Sequence, residues 1–204
     1  MTLYKLTYLD AKGLGESIRF ILSYLEKEFE DIRLPFEILS QLRKMPEVPY
    51  GRVPYLEIDG AVMYQTTAIL RFLAIEAGLN GSNNKENLNI DMIAGTVGDF
   101  ITEIQRYIKA KEPAEKDYIK ECLVKEIIPF YMDKFETLIA KEGYLANGKL
   151  SWVDMYAVGY FESIPGLVGF ELFEKYPSFK ALTKKIHSLP GVKDWIQKRP
   201  VANI

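Results

Sequence analysis

Hydrophobic and polar positions along this chain mix short strand-like runs with helical spacing before residue 80 and follow helical spacing alone after it. Leu3 to Tyr8 alternates as a first strand, and the glycine-containing segment Asp10 to Gly15 reads as a turn. Ile18, Ile21, Leu22 and Leu25 then recur at helical spacing. The polar Glu16, Ser17, Arg19 and Lys27 lie between them, which predicts one apolar stripe laid over a sheet. Phe29 to Leu34 reads as a second strand, parallel to the first because the helix supplies the crossover. Pro35, Pro46 and Pro49 break up the next stretch around a short helix at Ile38 to Lys44. Tyr55 to Ile58 and Ala61 to Tyr64 are joined by Asp59-Gly60, a strong hairpin signal, so the sheet is mixed. A helix after Gln65 turns Ile69, Leu70, Leu73 and Ala77 inward and stops at Gly78.

Beyond Leu88 only helices are predicted: Ile90 to about Lys109, Tyr118 to Lys141, Val153 to about Ser163, Tyr176 to Leu189 and Val192 to Lys198. The expected layout is an α/β domain over 1–78, a linker over 79–87, and an all-α domain over 88–204. Ser151 and Asp154 are spaced as a capping box, with Leu150 and Met155 as its hydrophobic staple. This is a structural motif, whose loss at Ser151 should cost about 1 kcal/mol.

Composition narrows the chemistry. Apolar residues make up 48% of 204, enough for a substantial core, and a net charge of -2 with no basic block argues against nucleic-acid binding. The first residues lack a signal-peptide layout, and no apolar run is long enough to span a bilayer, so a cytoplasmic protein is expected. Cys122 is the only cysteine and His187 the only histidine. That excludes an intrachain disulfide, a Cys/His zinc site and a Ser-His-Asp triad built on another histidine, and a thiol-disulfide oxidoreductase would need a cysteine near the end of the first strand, where there is none. Cys122 reads as a buried packing residue, and His187 as a helix C-terminal residue suited to the dipole.

Three places can carry chemistry. Tyr8 ends the first strand at the carboxyl edge of the sheet, where open α/β folds bind ligands. Its phenol could donate a hydrogen bond that favours a ligand thiolate, or simply cap the sheet. Val53-Pro54 opens a strand, and both a cis bond that frees the Val53 backbone for an extended peptide and an ordinary trans edge proline fit. Gln65-Thr66 begins a helix, suited either to capping alone or to holding a carboxylate.

In this order, these elements resemble the glutathione transferases over essentially the whole chain. Tyr4-Lys5-Leu6-Thr7-Tyr8, Gly15-Glu16-Ser17-Ile18-Arg19, Leu56-Glu57-Ile58-Asp59-Gly60, Ser151-Trp152-Val153-Asp154 and Trp195-Ile196-Gln197-Lys198-Arg199-Pro200 are similar to the sigma class, especially its insect members. The resemblance implies a thioredoxin-like first domain and a homodimer that uses glutathione as co-substrate, without a metal. It makes Tyr8 the catalytic residue. Arg43, Gly51, Arg52, Val53, Pro54, Gln65 and Thr66 would bind glutathione, with Asp99 reaching in from the partner subunit. Leu9, Ala11, Gly13, Leu14, Ile101, Gln105, Tyr156 and Tyr160 would line the site of a hydrophobic electrophile. Leu39 stands where the family carries a tryptophan, and the 45–50 loop departs from the usual Met-Pro-Phe-Gly. Leu14, Gly95 and Gly98 replace an arginine and metal-binding aspartates of vertebrate prostaglandin synthases. The competing reading is a weakly catalytic or crystallin-like ligand binder on the same fold.

Overall fold

Four strands and ten helices make up the structure, a computed structural model that describes residues Thr2 to Ala202. The expected domain ends at residues 1, 203 and 204 lie outside them. In chain order they are β1 (Tyr4–Leu9), α1 (Gly13–Tyr24), β2 (Phe29–Leu34), β3 (Tyr55–Ile58), β4 (Ala61–Tyr64) and α2 (Thr66–Ala77). Then come α3 (Asn84–Lys109), α4 (Pro113–Cys122), α5 (Ile128–Glu142), α6 (Trp152–Phe161), α7 (Ile164–Val168), α8 (Leu172–Lys175), α9 (Pro177–His187) and α10 (Pro190–Lys198). The sheet order is β2-β1-β3-β4, with β1 parallel to β2 and antiparallel to β3, as the crossover and hairpin signals require. This is a thioredoxin-like unit followed by a helical one. Asp59 and Gly60 both adopt positive φ, 49° and 84°, as a two-residue turn matched to strand twist demands.

Four expectations are corrected. The polar side of α1 is not exposed: Glu16, Ser17 and Arg19 are as buried as Ile18 and Ile21, because α6 and α10 cover the face turned away from the sheet. The stretch expected to hold one short helix contains three 3₁₀ segments, Phe36–Ser40, Leu42–Lys44 and Pro49–Gly51, since its prolines prevent a longer run. Helix α3 starts six residues before Ile90, where the Asn83 side chain accepts from the N–H groups of Lys85 and Glu86. The helix expected over Tyr118 to Lys141 begins at Pro113 and runs through a π-helical stretch, Leu123–Ile127, which accommodates the missing N–H of Pro129.

The capping box forms at the start of α6. Asp154 Oδ2 accepts from the Ser151 N–H at 2.8 Å and the Ser151 hydroxyl at 3.0 Å, while Oδ1 accepts from the Leu145 N–H at 2.9 Å. Cys122 is half-buried rather than buried, at the C-terminal end of α4 beside the Tyr118 hydroxyl. His187 closes α9 as expected, but it also pairs with Glu162. Among the described residues no helix is long and apolar enough to cross a membrane.

Candidate active site

Tyr8 is the fifth residue of the central strand β1, and the chain that follows folds back over its ring. Its hydroxyl oxygen accepts the Leu14 N–H at 3.2 Å. Glycine is needed here for close approach: a Cβ on Gly13 would lie 2.6 Å from the hydroxyl, and one on Gly15 would lie 2.5 Å from Cδ1 of the ring. Burial pushes the Tyr8 phenol above its usual value, although the Leu14 hydrogen bond and the Arg19 charge pull the other way. At neutral pH it is a phenol, whose oxygen accepts from Leu14 and whose own hydrogen remains available to donate.

A cleft of about 90 Å³ opens beside this turn, lined by Leu14, Pro49, Tyr50, Arg52, Val53, Pro54, Tyr64, Gln65 and Thr66. The structure thus brings Leu14, Arg52, Val53, Pro54, Gln65 and Thr66 together across fifty residues of sequence. The Val53–Pro54 bond is cis. Gln65 adopts φ 69° and ψ 108° directly before α2, a conformation that side chains rarely take and that recurs at ligand sites. The N–H groups of the first turn of α2 have no carbonyl four residues back to bond, and they favour an anion. Arg43 does not line the cleft. It packs behind Gly51, whose Cβ would come within 2.6 Å of the Arg43 backbone. Leu39 is 49% exposed. Asp99 is exposed on α3, away from this cleft.

Tyr8, Leu9 and Ala11 form an apolar cluster against which Leu14, Leu34, Ile38 and Val53 pack, which links the cleft to the end of β1. Ile101 of α3 and Tyr156 and Tyr160 of α6 belong to the main core. Burial pushes the Tyr156 phenol up to about 12 and the Tyr160 phenol higher still, the latter also through its proximity to Tyr8 and Tyr156. Gly13 lies against the Tyr8 hydroxyl, and the half-buried Gln105 accepts from Lys109 Nζ at 3.4 Å. Pro49, Tyr50 and Tyr64 are the cleft residues that sequence reasoning did not assign to the site; two of them are tyrosines. Their rings meet at 5.1 Å, and their adjacency to Gly51 and Gln65 was the available signal. A larger cavity of about 410 Å³, bounded by Ser23, Lys27, Phe29, Asp194, Trp195 and Lys198, lies apart from Tyr8 and the helix start.

Two family models match the chain, the glutathione S-transferase N-terminal domain over residues 4–75 and the glutathione S-transferase C-terminal domain over residues 98–199. A glutathione S-transferase of Anopheles gambiae is 39% identical over 98% of both chains. Glutathione S-transferase S1 of Drosophila melanogaster is 36% identical, covering 98% of this chain and 80% of its own. Among solved structures, prostaglandin synthase D of Nilaparvata lugens superposes with a TM-score of 0.92 at 44% identity, covering 98% of this chain and 99% of that one.

Proposed function

This chain belongs to the glutathione S-transferase family, sigma-like in class, and on that premise we propose that it joins the sulfur of glutathione to hydrophobic electrophiles in the cytoplasm. The observation that carries this reading is the neutral, buried Tyr8 phenol, fixed by the Leu14 N–H with its own hydrogen free. Donation from that hydroxyl favours a thiolate and lowers the thiol pKa from about 8.5 toward neutrality. The thiol proton leaves to solvent. The sulfur then forms a bond to carbon, with loss of halide from an aryl halide or protonation of the adjacent carbon in an alkenal.

The remaining residues bind and orient. The Val53 backbone beside Pro54 pairs with the cysteinyl backbone, Gln65 and Thr66 receive the γ-glutamyl carboxylate at the start of α2, and Arg52 completes the cleft, with Gly51 giving the turn before it. Arg43, packed against Gly51 outside the cleft lining, supplies positive charge for the glycyl carboxylate from the margin of the site, and Asp99 of the partner subunit receives the α-amino group. Leu9, Ala11, Leu14, Ile101, Tyr156 and Tyr160 form the apolar wall for the electrophile, with Gly13 and the polar Gln105 beside them. The same thiolate serves peroxide reduction. Because the Nilaparvata lugens structure is of a prostaglandin synthase D, prostaglandin isomerisation is assayed beside conjugation.

A homodimer is part of this proposal. The Arg71–Asp91 ion pair at 2.7 Å sets α2 beside α3, and exposed Phe72 and Ile75 flank it on one helix, Leu88 and Met92 on the other.

Conjugation of glutathione to an aryl halide tests the function. Tyr8→Phe is expected to lower kcat/KM about a hundredfold while glutathione binding by calorimetry is retained; wild-type turnover in Tyr8→Phe removes the mechanism. The exposed Leu39 motivates the ligand-binder alternative, which gains if calorimetry shows no glutathione binding at millimolar concentration.

A further inference from the structure

The end of the chain reaches back to the turn that holds Tyr8. Glu16, in the first turn of α1, is fully buried and accepts three charged or polar donors: Trp195 Nε1 at 2.8 Å, Arg199 Nη1 at 2.6 Å and Arg19 Nη1 at 3.0 Å. Two of the three come from α10 and the residue just beyond it. Arg199 also donates from Nη2 to Glu162 at 3.0 Å, and Glu162 is paired in turn with His187 and, at 3.9 Å, with Lys12. Burial opposes the Arg199 charge, but Glu162 and Glu16 outweigh it and push its pKa up, so the guanidinium is charged throughout the accessible range.

The turn so held is the one that contacts the phenol. Leu14 donates to the Tyr8 hydroxyl, Gly13 and Gly15 press on the ring, and the Glu16 N–H closes the turn onto the Lys12 carbonyl at 2.9 Å. Arg19 binds the Ala11 carbonyl at 2.8 Å and Asp31 at 2.9 Å, and its charge lies 5.9 Å from the centre of the Tyr8 ring. Residues almost two hundred positions downstream therefore fix the backbone that aims the hydroxyl.

We propose that Arg199 and Trp195 are positioning residues for Tyr8, acting through Glu16 on the first turn of α1. The inference rests on the reading of Tyr8 given above. A donor displaced by about an ångström loses much of its effect on the sulfur, while groups that bind the rest of glutathione from Val53 and Gln65 are untouched.

The test follows the ultraviolet thiolate absorption of the glutathione complex against pH, together with kcat/KM for an aryl halide, on the full chain. Arg199→Ala is expected to raise the apparent pKa of the bound thiol by about one and to lower kcat/KM near neutrality about tenfold. The glutathione Kd should change by less than about twofold, and Arg199→Lys should recover most of the loss. A folded Arg199→Ala with the wild-type titration overturns the proposal. Should Arg199→Ala not fold, Trp195→Phe decides, because it removes the indole N–H that Glu16 accepts while keeping an aromatic ring at the position: a raised thiol pKa supports the proposal and a wild-type curve overturns it. Tyr8→Phe is titrated beside them. If it keeps the wild-type curve, the reading of Tyr8 falls and this inference with it. If it loses the low thiol pKa while the other variants keep it, this inference alone falls.

Discussion

Glycines at positions 13 and 15 let the backbone touch the Tyr8 ring, where any side chain would collide with it. Gly15→Ala sets a methyl group 2.5 Å from the Tyr8 ring, so either the ring or the turn must move. That substitution is expected to cost about 1–3 kcal/mol in urea unfolding and to lower kcat/KM with little change in glutathione Kd; an unaffected kcat/KM would show that the ring has room. At this scale the sequence was informative about identity and silent about environment. Tyr8, Val53 and Gln65 could be named because they stand at a strand end, before a proline and at a helix start. The burial of Glu16 and Arg19 could not, since a charged residue between apolar ones reads as a solvated face until a second layer is known to cover it.

Elements with a local cause were legible and those with a distant one were not. The Asp59-Gly60 hairpin and the Ser151/Asp154 box depend on neighbours in sequence, and both form where spacing places them. The start of α3 was misplaced because Asn83 competes as a cap with the apolar repeat that begins at Ile90, and α7 and α8 are single turns too short to show a period. Within the capping box, burial raises the Asp154 carboxyl to about 6 from its ordinary 3.8, despite the hydrogen bonds from Leu145 and Ser151 that oppose it. The folded chain therefore holds this proton more tightly than the unfolded one. The resulting stability is complete below the unfolded value and is lost as pH rises through about 6. Asp154→Asn is expected to remove a slope on the order of 2–3 kcal/mol between these pH values in urea titrations, and an unchanged slope would refute the assignment. Ser151→Ala should cost about 1–2 kcal/mol at neutral pH, measured in the same way.

Across the whole molecule, the exposed apolar residues of α2 and α3 set the expected assembly. Sedimentation velocity should find a dimer, and Ile75→Glu, which places a charge at a residue 72% exposed in the single chain, should shift it toward monomer; a monomeric wild type would refute the arrangement. At one point, meanwhile, the two domains meet without a cushion of side chains. A Cβ on Gly159 of α6 would fall 2.7 Å from the Ser17 nitrogen of α1, so backbone rests on backbone at the boundary. A hinge or a sliding joint needs a layer that can repack, and none exists at this point. The joint is consequently locked at this point: even a methyl group at position 159 would push α6 off the main chain of α1.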